Sequence, residues 1–384
     1  MVLGAFKKLV VLATVAVASA SAATPNAPFY NEKGILVLGA DELLNITANA
    51  AANNEHIISH PGASYISVKF ENVNLPEGDV LIVRSPDSSD GYVYTGKGRG
   101  DLGTFASSPV RGTTAIVEYF ALNSAAQKST VSYKIGGYVR GFSSALESIC
   151  GAADQTRPAK CYQGSSTLPQ AYTKAQAVAR LLIGGKFFCT GWLLGNSGHM
   201  VTNEHCIEKA ADAAQMDIEF NAEGGSCSTL CNTQLSCKGT MEATSATFVT
   251  NSNPIDYAVV KLPAALATKY GFLQFRSSGP KNGEKIYIPQ HPDGWGKRIV
   301  DTVDGGAAAT IRGVGLDNTG CGNNQIGYLA DTQGGSSGSP VLSAVDNTVI
   351  ALHHCGGCNN LAVDPRDVLA DLKKKGITVP SSTV

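Results

Sequence analysis

A serine in a glycine-rich turn is the feature of this sequence that most directly suggests chemistry. The serine is Ser337, within the run Gly334-Gly335-Ser336-Ser337-Gly338-Ser339-Pro340-Val341. Because glycine has no Cβ, the backbone there can turn its N–H groups toward one point in front of the serine. A hydroxyl alone is a poor nucleophile, and it needs a base beside it. The turn therefore predicts nucleophilic catalysis if the chain also supplies a base and an orienting acid.

Candidates for both groups precede the turn. His205 ends an apolar strand and is followed by Cys206, and Asp256 lies between Asn253-Pro254 and the apolar run that starts at Tyr257. Taken singly, each has a plainer interpretation as a loop serine, a strand-end histidine or a turn-forming aspartate. Their joint occurrence in the order His, Asp, Ser, one of three orders known for this geometry, favours a catalytic triad.

These residues resemble the secreted chymotrypsin-like serine endopeptidases, and the lysyl and glutamyl endopeptidase branches more than trypsin. The resemblance covers about the last three fifths of the chain, and the matching runs are Phe188–Leu194, Thr202–Cys206, Ile255–Leu262 and Gly334–Val341. It implies His205 as general base, Asp256 as the carboxylate that orients it and Ser337 as nucleophile. It also implies an oxyanion hole made by the backbone N–H groups of Gly335 and Ser337.

The resemblance leaves the primary specificity open. Asp331 lies six residues before Ser337, where an acidic side chain at the floor of the primary pocket would attract lysine or arginine. An aspartate there can also be loop scaffold. His353 resembles the histidine that glutamyl endopeptidases use to recognise a carboxylate. Between the two we expect cleavage after basic residues, with cleavage after glutamate as the alternative.

The residue before the nucleophile differs from that of trypsin. It is Ser336, whereas trypsin has an aspartate that pairs with a newly cut N-terminal amine. We therefore do not expect activation by that salt bridge.

Composition and the N-terminal residues predict an exported, globular protein. The chain has 43% apolar and 16% charged residues, and its net charge of −1 argues against a nucleic-acid partner. Residues 1–23 read as a secretory signal peptide, because two lysines precede an apolar run and small residues follow it. That run is too short to span a bilayer. We expect a secreted, extracellular monomer that acts on protein or peptide substrates, without a membrane partner.

All ten cysteines lie between Cys150 and Cys358. An even number in an exported chain predicts disulfides, and their absence from the first 149 residues places a domain boundary near residue 145. The resemblance implies that Cys189 and Cys206 are bonded to each other. It also implies that Cys150 and Cys161 are tied to Cys355 or Cys358 and to Cys231 or Cys237. Disulfides are favoured over a zinc site around Cys355 and Cys358, so we expect no metal and no cofactor.

The expected fold is all-β. Residues 24–145 alternate in the manner of strands and predict a β-sandwich of CUB or jelly-roll type, an accessory or pro-domain that could bind a carbohydrate or cell-surface ligand. For residues 146–384 the resemblance implies a double β-barrel of chymotrypsin type. Asp364-Pro365, apolar residues at helical spacing, three lysines and Gly376 predict the helix that ends it. The alternative to an enzyme is a catalytically silent binding or inhibitor protein that reuses the fold.

Overall fold

The computed structural model describes residues 29–30, 36–37, 39–49, 54–121, 132–142, 149–318 and 320–384. The predicted signal peptide, residues 1–23, lies outside the described residues. The chain forms two compact units: one comprises Gly39–Phe142, and the other comprises Pro25–Leu38 with Ser143–Val384. Among the described residues, no helix has the length and apolar character needed to cross a membrane.

The first described strands belong to the second unit. They are β1 (Phe29–Tyr30) and β2 (Leu36–Val37), and Val37 pairs with Phe187 of the larger unit. The sequence pattern assigned these residues to the sandwich. No local signal shows that a strand pairs with one far away in the sequence, as Val37 does with Phe187.

The first unit is a β-sandwich of two antiparallel sheets. One sheet has the order β4-β10-β6-β7, and the other has the order β3-β11-β5-β8, with β9 also paired to β5. The strands are β3 (Gly39–Asn49), β4 (Asn54–Ser59), β5 (Tyr65–Glu71), β6 (Val80–Arg84), β7 (Gly91–Tyr94), β8 (Phe105–Ala106), β9 (Val110–Arg111), β10 (Thr114–Phe120) and β11 (Ser132–Gly141), with a 3₁₀ turn at Arg99–Asp101.

The core of the sandwich follows the predicted alternation. Ile66, Val68 and Phe70 of β5 are buried against Leu81 of β6 and Val117 of β10. Both β6 and β10 alternate between buried and half-buried positions. Each sheet has one face toward the other sheet, so only every second residue enters the core.

The second unit contains two antiparallel, β-barrel-like sheets. The first has the order β17-β16-β13-β14-β15-β19-β18, with β1 and β2 attached, and the second has the order β12-β21-β20-β24-β25-β26-β23-β22. The strands are β12 (Arg157–Pro158), β13 (Val178–Ile183), β14 (Phe187–Leu194), β15 (His199–Thr202), β16 (Met216–Phe220), β17 (Thr240–Ala243), β18 (Thr247–Ser252), β19 (Tyr257–Lys261), β20 (Ile286–Gln290), β21 (Arg298–Val300), β22 (Ile311–Asn318), β23 (Gly322–Tyr328), β24 (Pro340–Ser343), β25 (Val349–Cys355) and β26 (Asn360–Val363).

The described helices of this unit are short except for the last. They are α1 (Ala171–Ala175), α2 (Ala210–Ala213), α3 (Ala265–Tyr270) and α4 (Pro365–Lys374), with 3₁₀ turns at Ala159–Tyr162, Pro292–Gly294 and Asp304–Gly306. Helix α4 begins as predicted, because the Asp364 side chain accepts a hydrogen bond from the backbone N–H of Arg366 and Pro365 occupies the first turn. Its residues Val368 and Leu372 enter the core. The all-β, chymotrypsin-type fold is confirmed.

A buried ion pair joins β13 to β16. Arg180 Nη2 lies 2.6 Å from Glu219 Oε2, and the two side chains are 1% and 4% exposed. Arg180 also donates to the carbonyl of Gly294, in the turn that follows β20. The pair therefore links the first sheet to a loop of the second.

Glu219→Ala is expected to lower the free energy of unfolding by about 3–5 kcal/mol, because it leaves the Arg180 charge buried without its carboxylate. Urea denaturation measures the change. Glu242→Ala is the matched control, since its partner Lys269 is 56% exposed and such pairs contribute about 1 kcal/mol or less. Equal losses for the two variants would contradict this prediction.

Candidate functional site

His205 lies just beyond β15, a strand held on both sides. Val201 of β15 pairs with Trp192 of β14, and Thr202 pairs with Ala258 of β19. A disulfide between Cys189 and Cys206, the pair implied by the resemblance, joins β14 to the residue after His205. Backbone pairing and this covalent bond together fix where the imidazole can lie.

Asp256 contacts His205 in two ways. Its Oδ2 accepts a hydrogen bond from Nδ1 of His205 at 2.7 Å, and its Oδ1 accepts one from the backbone N–H of His205 at 3.0 Å. A carboxylate only accepts, so Nδ1 carries a proton, and Nε2 is the ring nitrogen that remains to act as a base. Asp256 thereby sets both the tautomer and the orientation of the imidazole.

The backbone at Asp256 has a φ of 64°, in the left-handed region that few residues other than glycine adopt. This conformation costs roughly 1–2 kcal/mol and is least costly for Asn and Asp. Two hydrogen bonds hold it: the Asp256 N–H donates to the Ser252 carbonyl at 2.7 Å, and the Asn203 side chain donates to the Asp256 carbonyl at 2.9 Å. The segment that carries the imidazole is thus also joined to the backbone of Asp256, through the side chain of Asn203.

The charge of Asp256 is well stabilised. Burial acts to raise the pKa of this carboxyl, but the hydrogen bonds and charges of His205 and His354 outweigh it, and its pKa lies well below the ordinary value. Asp256 is therefore ionised wherever the protein is folded and the two imidazoles face it.

The turn that carries Ser337 is held against the first sheet. The backbone N–H of Thr190, in β14, donates to the Ser337 carbonyl at 2.8 Å, and the Thr190 hydroxyl donates to the Gly335 carbonyl at 2.9 Å. Gly335 and Gly338 both have a positive φ, 87° and 89°. A Cβ on Gly338 would lie 2.1 Å from the Thr190 carbonyl oxygen, so no other residue fits there. The half-buried Ser337 thus lies on a turn that β14 fixes.

The loop after β20 supports the same turn. The backbone N–H of Asp293 donates to the Gly334 carbonyl at 2.6 Å, and the backbone N–H of His291 donates to the Thr190 hydroxyl at 3.1 Å. With the carbonyls of Gly334 and Gly335 bonded in this way, their orientation is fixed. No local sequence pattern predicts this support, because the contacts join segments more than forty residues apart.

Ser336 is anchored without any charge. Its hydroxyl donates to Oε1 of Gln290 at 2.5 Å, and Nε2 of Gln290 donates to the Asp331 carbonyl at 2.8 Å. In trypsin the residue at this position is an aspartate that pairs with a newly cut amine, whereas here Ser336 pairs with the uncharged side chain of Gln290. The sequence did not reveal Gln290 as the hydrogen-bond partner of Ser336.

Asp331 is 1% exposed, and its carboxylate binds the backbone of residues 150–155. Its Oδ1 accepts from the backbone N–H of Cys150 at 2.9 Å, and its Oδ2 accepts from that of Gln155 at 2.7 Å. Burial raises the pKa of this carboxyl, and the neighbouring charges of Asp154 and Asp304 act in the same direction, against the two backbone bonds. Whether it also meets substrate stays a prediction.

His353 is buried and neutral. Burial, and then the charges of His354 and His205, lower its pKa to about 3. Its Nδ1 lies 2.7 Å from the hydroxyl of Tyr328, and its backbone N–H donates to the Ser339 carbonyl. The backbone of His353 adjoins the turn that carries Ser337, but the neutral side chain brings no positive charge to it.

His354 is a member of the site that the sequence did not reveal. Its Nδ1 lies 2.9 Å from Oδ2 of Asp256, the oxygen that also binds His205. In the sequence it is the second of two adjacent histidines beside Cys355, and only the path of β25 past Asp256 distinguishes it.

The ten cysteines form five disulfides. Besides the bond next to His205, they are Cys150–Cys358, Cys161–Cys227, Cys231–Cys237 and Cys321–Cys355. The expectation that Cys150 or Cys161 reaches Cys231 or Cys237 is therefore wrong, since Cys231 and Cys237, six positions apart in the sequence, bond each other.

One group of potential metal ligands is found in the described part of the chain. It consists of Cys189, His205 and Cys206, whose ligand atoms lie within 4.8 Å of one another. Both cysteines are in a disulfide, so neither offers the thiolate that a metal would need. The same holds for Cys355 and Cys358, the residues for which zinc was the alternative.

Comparison with known proteins identifies the family. The family described as trypsin-like peptidase domain matches residues 189–352, which include His205, Asp256 and Ser337. The chain is also 42% identical over 337 residues to the secreted RxLR effector protein 73 of Plasmopara viticola, an alignment that covers 84% of this chain and 82% of the effector. The chain belongs to the family of this effector. This family member carries a trypsin-like serine peptidase domain.

A more distant relative of this effector-family chain is the uncharacterized protein y4fB of Sinorhizobium fredii, 29% identical over 205 residues that cover 47% of the chain and 27% of y4fB. Among solved structures, the HtrA-type protease AlgW with tripeptide aligns with a TM-score of 0.41 and 18% identity, over 56% of this chain and 65% of that one. A serine endoprotease from Yersinia pestis gives 0.40 and 16%, over 55% and 66%. The aligned part of the chain spans just under two thirds of each of these two structures. Structural similarity with so low a TM-score and sequence identity carries no inference about activity.

Proposed function

We propose that the chain is a secreted serine endopeptidase whose triad is Ser337, His205 and Asp256. The observation that carries this proposal is the 2.7 Å hydrogen bond from His205 Nδ1 to Asp256, which leaves Nε2 of His205 as the base. All three residues lie within the part of the chain that matches trypsin-like peptidases.

The proposed reaction proceeds through an acyl-enzyme. Nε2 of His205 takes the proton of Ser337 as its oxygen attacks the peptide carbonyl, and Asp256 stabilises the imidazolium that forms. The backbone N–H groups of Gly335 and Ser337 bind the oxyanion, each contributing about 3 kcal/mol. His205 then gives its proton to the leaving amine, and a water activated by the same imidazole hydrolyses the ester.

A fluorophosphonate probe tests this function without any assumption about substrate. The full chain is expected to become labelled, and Ser337→Ala is expected to abolish labelling. Ser226→Ala, a serine in an exposed turn, serves as the control and should label normally. No labelling of the folded full chain would favour a catalytically silent binding protein instead.

For specificity we propose cleavage after lysine or arginine, with Asp331 as the residue that attracts the basic side chain. Each Asp331 oxygen accepts one backbone hydrogen bond and keeps a second lone pair. Asp154 adds a second negative charge nearby. The neutral state of His353 disfavours the alternative, recognition of glutamate by a charged histidine.

Asp331→Asn is expected to lower kcat/KM for substrates with lysine or arginine before the cut by roughly 100-fold, as when a buried charge pair loses one partner. For the same peptides with glutamine in place of the basic residue, kcat/KM should change less than tenfold, since these substrates form no charge pair with Asp331. Steady-state kinetics on paired peptides measures the difference.

Asp304→Asn is the control for the scaffold role of Asp331. Asp304 also holds the start of the second unit, by accepting from the backbone N–H of Ala152 and from the side chain of Gln155. If both variants slow all substrates to the same degree, Asp331 acts as an anchor and not in specificity.

Export is part of the proposal. The relative from Plasmopara viticola is a secreted effector, residues 1–23 have the pattern of a signal peptide, and five disulfides suit an oxidising compartment. We propose that the sandwich, which spans Gly39–Phe142 in the structure, is an accessory or pro-domain. A carbohydrate ligand for the sandwich stays a prediction.

A further inference from the structure

Two imidazoles share one carboxylate oxygen at the centre of the site. Oδ2 of Asp256 lies 2.7 Å from Nδ1 of His205 and 2.9 Å from Nδ1 of His354. The His354 side chain is 6% exposed, so little water reaches it. A carboxylate cannot donate, so both Nδ1 atoms carry protons.

The second nitrogen of His354 also faces an acceptor. Its Nε2 lies 2.5 Å from Oε1 of Gln325 in β23. The amide orientation follows from its other bond, because Nε2 of Gln325 donates to the carbonyl of Asn323 at 2.9 Å. A neutral imidazole has a single N–H, and only the imidazolium donates from both nitrogens. The geometry around His354 is thus that of a cation.

The charged and titratable groups that face His354 come from three places. Asp256 precedes β19, His205 follows β15, and His353 is its neighbour on β25. His353 is neutral, and Gln325 on β23 is uncharged. Asp256 is therefore the one negative charge among them, and His205 and His354 compete for it.

We propose that His354 is a cationic positioning residue that neutralises Asp256 and thereby keeps His205 unprotonated, and so able to act as base, at mildly acidic pH. This inference rests on the proposed function, since it assigns a pH range to the same triad. The sign follows from Coulomb repulsion: a positive charge next to Asp256 opposes the gain of a second positive charge on His205.

The pH profile of kcat/KM for the full chain tests the effect on activity. In His354→Ser the acidic limb is expected to move upward by about one pH unit, because His205 is then protonated more easily. His199→Ser, a histidine whose Nδ1 bonds Ser197, is the matched control and should leave the limb in place. An acidic limb at the same pH in His354→Ser and wild type overturns the proposal.

A second variant covers the case in which His354→Ser is inactive. Gln325→Met keeps His354 but removes the acceptor at its Nε2, which allows the neutral ring. The limb should again move upward, and an unmoved limb overturns the proposal.

The charge of His354 can also be measured without any activity. The full chain with Ser337→Ala, labelled with ¹⁵N at its seven histidines, is expected to show at pH 7 an imidazole with protons on both nitrogens, absent when His354→Ser is added. A His354 ring with one proton at pH 7 overturns the proposal. If the imidazolium is present but the wild-type chain fails to react with fluorophosphonate, the proposed function fails separately.

Discussion

Ser337→Ala is expected to lower kcat for peptide hydrolysis by about six orders of magnitude, the scale seen when a triad that acts as a unit loses its nucleophile. Without the Ser337 oxygen no acyl-enzyme forms, and His205 has no hydroxyl to deprotonate. The oxyanion hole would still leave a residual rate of about 10³–10⁴ over water. Initial rates on a peptide pool, measured with purified full chain, provide the comparison.

Because the three residues of a triad act together, variants at a second position serve as the control. His205→Ala alone, and the double variant with Ser337→Ala, should fall to about the same rate as Ser337→Ala, because a second loss removes nothing further. Thermal unfolding of each variant checks that the turn held by Thr190 is intact. Near-normal hydrolysis by folded Ser337→Ala protein would refute the assignment of the nucleophile.

Asp256→Asn is expected to lower kcat by about four orders of magnitude. Oδ2 of Asp256 accepts from two imidazole N–H groups, and an amide NH₂ at that position would face two donors. His205 must then change tautomer or turn, and Nε2 no longer accepts the serine proton. Pre-steady-state kinetics of acylation would show the loss in the chemical step.

Asp346→Asn provides a comparison, because Asp346 is an exposed carboxylate whose partner is Arg276. This substitution should leave kcat unchanged. A loss of less than tenfold for Asp256→Asn would mean that the imidazole keeps its orientation without this carboxylate, and the proposed triad would have to be abandoned.

Local signals in the sequence were sufficient for several elements. Helix α4 was predicted from Asp364, Pro365 and Gly376, each of which acts within one turn of the helix end. The alternation of β5 was also readable, because burial of Ile66, Val68 and Phe70 depends only on the period of the strand.

The parts that could not be predicted depend on contacts between distant segments. Gln290 binds Ser336 across forty-six residues, and His354 reaches Asp256 across ninety-eight. Such contacts follow from how distant segments assemble in the second unit, which no local pattern encodes. The bond of Cys161 to Cys227 has the same cause, since sequence spacing does not determine disulfide connectivity.

The bond between Cys189 and Cys206 makes the imidazole loop sensitive to its surroundings. In a glutathione-rich compartment the thiol pool would compete with that bond, and with the bond that joins Cys150 to Cys358. The residues around His205 would then lose this covalent constraint in a reducing compartment, whereas they would keep it in an oxidising one. The redox state of the compartment would thus limit the proposed hydrolysis without any dedicated inhibitor.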